Sequence, residues 1–186
     1  MFNRKKYEQD AVNLYRSTNA AILSTMSKKY EGYPFGSFIT YATDKSRTLF
    51  MYTSDIAQHT KNLKNDSKAC VTLFKLDTEY DKQNSSRLTL MGDLKKVPKD
   101  DLDDCQERFV KFLPESKKYS SMHDFKFYKL EISRVRWIGG FGDIAWINPK
   151  NWKDDSPKWS KNEKMMIDHM NDCLLYTSDA ADDSQC

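Results

Sequence analysis

The apolar positions nearest the N-terminus recur at helical spacing. Between Lys5 and Ser17, Tyr7, Ala11, Leu14 and Tyr15 stand at i, i+4, i+7 and i+8, which predicts an amphipathic helix. Beyond it, runs rich in β-branched and aromatic residues read as strands: Ala20 to Met26, Phe35 to Thr43, Leu49 to Thr53, Ala69 to Phe74, Arg87 to Val97 and Phe125 to Ile138. Turn-forming stretches at Lys28 to Pro34, Thr43 to Arg47 and Lys64 to Ser67 separate the earlier runs, and such short connections predict antiparallel pairing. Two helical insertions interrupt the strands, one over Ala57 to Leu63 and one over Lys99 to Phe112, where Leu102, Cys105, Phe109 and Phe112 repeat at helical spacing. The order predicts a mainly β, α+β fold, a small six-stranded antiparallel barrel decorated by helices, rather than alternating βαβ units.

The pattern changes after Ile147. Residues 148–159, NPKNWKDDSPKW, are polar with two prolines and read as a linker that ends the barrel domain of residues 1–147. Ser160 stands three residues before Glu163, a capping-box spacing ahead of Met166, Ile167 and Met170, so residues 160–172 read as the opening helix of a second domain. Residues 173–186, CLLYTSDAADDSQC, lack an amphipathic period and differ from the lysine-rich body. They look like translated sequencing adapter, and the expectation is a non-native tail, with the natural chain continuing differently beyond Asn171 or Asp172.

With 186 residues, 39% hydrophobic, 31% charged and only 6 Gly and 5 Pro, the composition is globular. No apolar run approaches the roughly 20 residues of a membrane-crossing helix. The basic start Arg4-Lys5-Lys6 leads into Tyr7-Glu8-Gln9-Asp10 rather than an apolar signal core, so a cytoplasmic protein without a membrane partner is expected. The net charge of +3, from 30 basic and 27 acidic residues, argues against nucleic acid as a partner. Four of those acids, Asp172, Asp179, Asp182 and Asp183, lie in the last 15 residues, so residues 1–171 carry +7, which suits a small anionic cofactor. The four cysteines are widely spaced with no C-x-x-C, and His59, His123 and His169 sit in separate segments, so no metal site or redox dithiol is expected. Without a G-x-S-x-G elbow or a P-loop, hydrolase and NTPase readings lose their support, and no catalytic residue is assigned.

Three segments carry candidate chemistry. Phe50 to Phe74 reads as strand, polar loop, short helix and strand. Thr53 and Ser54 offer hydroxyls there, and His59, Thr60 and Lys61 follow at the helix start, the ingredients of a phosphate site or equally of a solvated loop. In Ser85 to Val97, Arg87 alternates with Leu88 and Leu90, and so faces away from the leucines, either free in solvent or reaching an anionic ligand. In Trp137 to Ile147, Gly139, Gly140 and Gly142 lack the dinucleotide spacing. They mark a bend or a close backbone approach to a ligand, and Phe141 or Trp146 would cover an aromatic cofactor.

Together, AAILSTM (Ala20 to Met26), YPFGSFITYATD (Tyr33 to Asp44), YTSDIAQHTKNLKND (Tyr52 to Asp66), SRLTLMG (Ser86 to Gly92), RFVKFLPESKKY (Arg108 to Tyr119), DFKFYKLEI (Asp124 to Ile132), GGFG and MIDHMN (Met166 to Asn171) resemble the FMN-binding split-barrel superfamily of pyridoxamine 5′-phosphate oxidase. Within it the sequence is most similar to the haem-utilisation, haem-oxygenase-like branch. The resemblance implies a six-stranded split barrel, a homodimer and FMN at the subunit interface. It implies that Ser37, Phe38, Ile39 and Thr40 offer backbone groups to the flavin ring, that Thr53 and a cation at His59 meet the phosphate, beside the Ser54 hydroxyl and Lys61 of the same candidate segment, and that Arg87 lies near the flavin. Ala57, Gln58 and His59 stand where the oxidase has Ser, Arg and Lys, so pyridoxamine phosphate is not the expected substrate. Three functions remain open: an FMN-dependent oxidoreductase, with Arg87 stabilising the reduced flavin; a haem-binding or haem-degrading protein, with His123 or His169 as possible axial ligands; and a non-catalytic dimeric module that binds a partner protein.

Overall fold

Arg4–Ser17 forms the expected N-terminal helix, α1, in the computed structural model, which describes residues 4–76, 79, 81–153 and 159–182, residues 174–182 as backbone alone. Its apolar face buries Ala11, Val12, Leu14 and Tyr15. The Ser17 hydroxyl donates to the Leu14 carbonyl at 2.9 Å, a local bond that competes with a further helical turn where the helix ends. The chain divides into two units, Met1–Lys153 and Asp154–Cys186.

In the first unit five of the six expected strands form within a residue or two of their expected bounds: β1 (Ala20–Met26), β4 (Leu49–Ser54), β5 (Lys68–Lys75), β6 (Ser86–Lys96) and β7 (Phe125–Ile138). The strand expected over Phe35 to Thr43 divides into β2 (Pro34–Thr40) and β3 (Ala42–Thr43). The break falls at Tyr41, which turns into the core, stacks on Tyr15 at 5.6 Å and donates from its hydroxyl to the Tyr15 carbonyl at 2.9 Å. β2 therefore pairs with β1, and β3 with β4. An eighth strand, β8 (Ile144–Ile147), was hidden behind the glycines. Gly140 (φ +141°) and Gly142 (φ +88°) make the turn that folds it back on β7. The order is β2-β1-β5-β6-β7-β4-β3 with β8 beside β7, antiparallel at every pairing described.

Alternation gives this sheet one buried face. Leu23, Val71, Leu73, Leu88, Leu90 and Val135 are fully enclosed, with α1 packed over them. Leu63 of α2 (Gln58–Leu63) joins that core, and a second core lies between the sheet and α3 (Leu102–Phe112), where Cys105, Phe109 and Leu113 meet Phe50 and Phe127. Burial pushes the Cys105 thiol up to about 12, so it is a packing group rather than a nucleophile. Between Met91 and Gly92 the β6–β7 register slips by one residue. A Cβ on Gly92 would stand 2.0 Å from the Glu131 carbonyl oxygen, so only glycine fits the bulge.

Residues 148–153, expected to be linker, belong to the barrel. Asn148 accepts from the Lys150 N–H and caps α4 (Pro149–Trp152), whose first proline lacks only a donor that the first turn leaves unused. Trp152 is 0% exposed and lies against Tyr15 at 5.3 Å between ring centroids. Arg47, in a left-handed conformation (φ 67°), donates to the Trp152 carbonyl at 3.0 Å and to Glu8 at 3.2 Å, fixing α4 against α1.

The second unit contains a 3-10 turn, Ser160–Asn162, and α5 (Glu163–Asp182). This helix runs without a break past Asp172, the boundary expected from the sequence, because no Gly or Pro interrupts residues 163–182. Met166, Ile167 and Met170 are exposed on it. Linker residues 154–158, the Ser160 side chain of the expected capping box and residues 183–186 lie outside the described residues.

Candidate functional site

Thr53, His59 and Thr60, expected to line a phosphate site, meet around the start of α2, at the end of β4. Thr53 Oγ1 lies 2.6 Å from His59 Nε2 and 3.2 Å from the Thr60 hydroxyl, and both threonines are buried. Ser54 donates to Asp124 and accepts from the Ile56 N–H at 3.1 Å. Asn62, fully buried, holds α2 in place. Its amide donates to Thr25 Oγ1 at 3.0 Å, and its carbonyl oxygen accepts from the Lys28 N–H at 3.0 Å and from the Gln58 amide at 2.9 Å. Nothing in the sequence marked Asn62, since an Asn within a polar helix reads as surface.

These residues do not fit a phosphate. Burial lowers the His59 pKa from its ordinary value of 6.5, so the imidazole is neutral at pH 7 and the cation expected there is missing. The Thr53 hydroxyl is shared between His59 and Thr60, and Ser54 is committed to a carboxylate that would repel an anion. The Arg87 guanidinium donates to the Gln83 and Ser85 carbonyls at 3.1 and 3.3 Å. Arg87 lies three strands from β2, at the sheet end opposite to the Thr25 end where α2 is fastened, so one chain does not bring it to Thr53 or His59. On β2, the sheet-edge strand, Phe38 and Thr40 point outward, Ser37 is half-buried and Ile39 is in the core.

The outward face of the sheet is the larger feature. By register, Phe38, Ile22, Thr72, Thr89, Arg136 and Trp146 stand side by side across six strands. The Thr72 and Thr89 hydroxyls are 3.3 Å apart, and the Arg136 guanidinium lies over the Trp146 ring at 4.9 Å, a cation–π contact. A second row runs Gly36, Ser24, Cys70, Met91, Arg134, and a third Phe74, Arg87, Ile138, Ile144. These rows hold three arginines and no carboxylate. Phe38 is 69% and Trp146 59% exposed, and Ile22, Phe74, Met91 and Ile144 add to an apolar surface of a kind that marks an interaction site. Arg134 and Arg136 form the polar half of the alternation Arg134-Val135-Arg136-Trp137, a signal present in the sequence.

The glycine turn is a bend, as one of its two readings had it. Phe141 N–H donates to Asn84 Oδ1 at 2.8 Å, and a Cβ on Gly140 would meet the same oxygen at 2.6 Å, so the close approach is to Asn84. Phe141 itself is exposed. Among the described residues no group of three His, Cys, Asp or Glu could hold a metal ion, and no helix is long and apolar enough to cross a membrane.

The chain is 34% identical over 119 residues to "Non-canonical heme oxygenase HOZ, chloroplastic" of Arabidopsis thaliana, covering 64% of this chain and 36% of that one. It is 27% identical over 144 residues to "Protein CREG1" of Mus musculus, covering 71% of this chain and 65% of that one. The chain thus spans about a third of the first relative and just under two thirds of the second. Among solved structures, a heme binding protein from Mycobacterium smegmatis superposes with a TM-score of 0.71 at 28% identity, over 78% of this chain and 59% of that one. Campylobacter jejuni ChuZ, at 21% identity, shares the fold with a TM-score of 0.70 over 81% of this chain and 63% of that one. Residues 3–154 match the family described as CREG, beta-barrel, and the chain belongs to that family within the FMN-binding split-barrel superfamily.

Proposed function

We propose that this chain is a haem-binding split barrel of the haem-oxygenase-like type. The observation that carries the reading is the outward sheet face, on which three rows of apolar side chains surround Arg87, Arg134 and Arg136, while the carboxylates Asp93 and Glu131 stand in the next row, Glu131 paired with Lys95 at 2.7 Å. Haem is a broad apolar plane with two carboxylates on one edge, and this donor set suits both parts. Support comes also from the relatives whose names refer to heme, the Arabidopsis protein and the M. smegmatis structure. When bound, haem supplies a redox-active iron; the face contributes no imidazole, so its own role is to bind and orient the macrocycle. FMN loses ground because the Thr53, Ser54 and His59 groups are already committed to one another and to Asp124.

The same reading includes a homodimer. Ile22, Met26 and Phe38 are exposed on β1 and β2, and a second copy covering them would bury the apolar half of the face while leaving the arginine half for the ligand. Haem titrated into the full chain tests the proposal. The expected result is a saturable, shifted Soret band at stoichiometric haem. A spectrum equal to that of free haem throughout would refute haem binding, and tight binding of FMN in its place would restore the flavin reading.

A further inference from the structure

At the β8 edge of the outward face lies a cleft of about 720 Å³, within the roughly 300–1,000 Å³ of small-molecule sites. Tyr7 and Glu8 of α1, Met91, Arg134, Trp146 and Asn151 line it. Its electrostatics are lopsided. Glu8 is paired with Arg47 at 3.2 Å, and the Tyr7 hydroxyl donates to Asp143 at 3.1 Å, so neither offers an uncompensated charge to a ligand. Arg134 is exposed, and the bond recorded for its guanidinium is from Nη1 to the neighbouring Ser133 carbonyl at 2.8 Å. The remaining guanidinium N–H groups are available to an anion. The Gly92 bulge sets this arrangement: the register slip next to Met91 places Arg134 directly opposite it, so a thioether, a guanidinium and the exposed Trp146 line one cleft.

We propose that this cleft receives the carboxylate-bearing edge of the tetrapyrrole, with Arg134 as the carboxylate partner and Met91 and Trp146 against the ring. The proposal rests on the haem-binding reading above and adds to it the place and the orientation. A guanidinium meeting a carboxylate forms a charge-assisted pair, while a polarisable thioether and an indole suit the apolar plane beside it. The Arg136 guanidinium over the indole helps hold Trp146 at the cleft.

Haem and haem dimethyl ester, which lacks the carboxylates, titrated into the full chain, into Arg134→Gln and into Lys95→Gln provide the test. Lys95 sits on the surface paired with Glu131 at 2.7 Å, and its variant controls for the loss of one positive charge. Arg134→Gln is expected to weaken haem binding about tenfold, as loss of one charge-assisted hydrogen bond does, and to leave the ester unaffected. Lys95→Gln should bind both as the parent does. If the parent binds haem and Arg134→Gln binds it equally well, the orientation is overturned while haem binding stands. Equal weakening for haem and its ester would also overturn it, since the guanidinium would not then act through a carboxylate. If the parent shows no Soret shift at all, the haem reading itself fails. Because Arg134 is exposed, an unchanged melting temperature for Arg134→Gln shows that a loss of binding does not come from unfolding.

Discussion

Emptying the Trp152 site tests whether α4 is part of the barrel. In a linker the tryptophan would be exposed and its loss neutral; in the structure it is 0% exposed, against Tyr15 and beneath Arg47. A tryptophan buries about 150–250 Å². At about 25 cal/mol per Å² this corresponds to about 4–6 kcal/mol, an upper bound because the unfolded chain already hides part of that area. Trp152→Ala is therefore expected to cost about 3–5 kcal/mol, the usual range for emptying such a site. For a domain of this size that lowers the melting temperature of the barrel by roughly 10 °C. Trp152→Phe should behave differently. The indole N–H has no hydrogen-bond partner among the described residues, so phenylalanine gives up volume but no bond, and its cost should stay near about 1 kcal/mol. Near-UV circular dichroism melts of the full chain measure both. A Trp152→Ala protein that melts within about 2 °C of the parent would refute the placement of α4 in the barrel.

Three further outcomes follow from the geometry. Gly92→Ala, whose new Cβ would meet backbone atoms of Glu131 that cannot swing aside, should destabilise the barrel by about 3 kcal/mol or more in urea melts, and a neutral result would contradict the bulge. His59 has a folded-state pKa below 6.5, so the unfolded chain binds more protons as the pH falls below that value; stability should decline from pH 7 toward pH 5, and His59→Gln should flatten the decline. Equal pH profiles for the two proteins would show that His59 is not held neutral. Phe38→Asp, placing a charge on the exposed β2 face, should convert the proposed dimer to monomer in light scattering, and an unchanged mass would exclude this face as the interface.

The sequence by itself determined the element order, because period-two and helical spacing are local properties that survive without any knowledge of neighbours. Ala20–Met26 and Phe125–Ile138 were readable to the residue for that reason. Where a distant partner decides the outcome, local pattern is silent. Tyr41 breaks a continuous β-branched and aromatic run because Tyr15, 26 residues away, receives its hydroxyl and ring, and Trp152 is core only because Arg47 and Tyr15 are there to enclose it. The candidate chemistry divides in the same way. Thr53, His59 and Arg87 were visible as residue types, yet only the tertiary structure decides that the first two bond each other and that Arg87 lies across the sheet from them. The face shared by Phe38, Arg134, Arg136 and Trp146 is likewise a product of strand register. Pairing places on one surface residues scattered over more than a hundred positions, and nothing in the order of the chain carries that information.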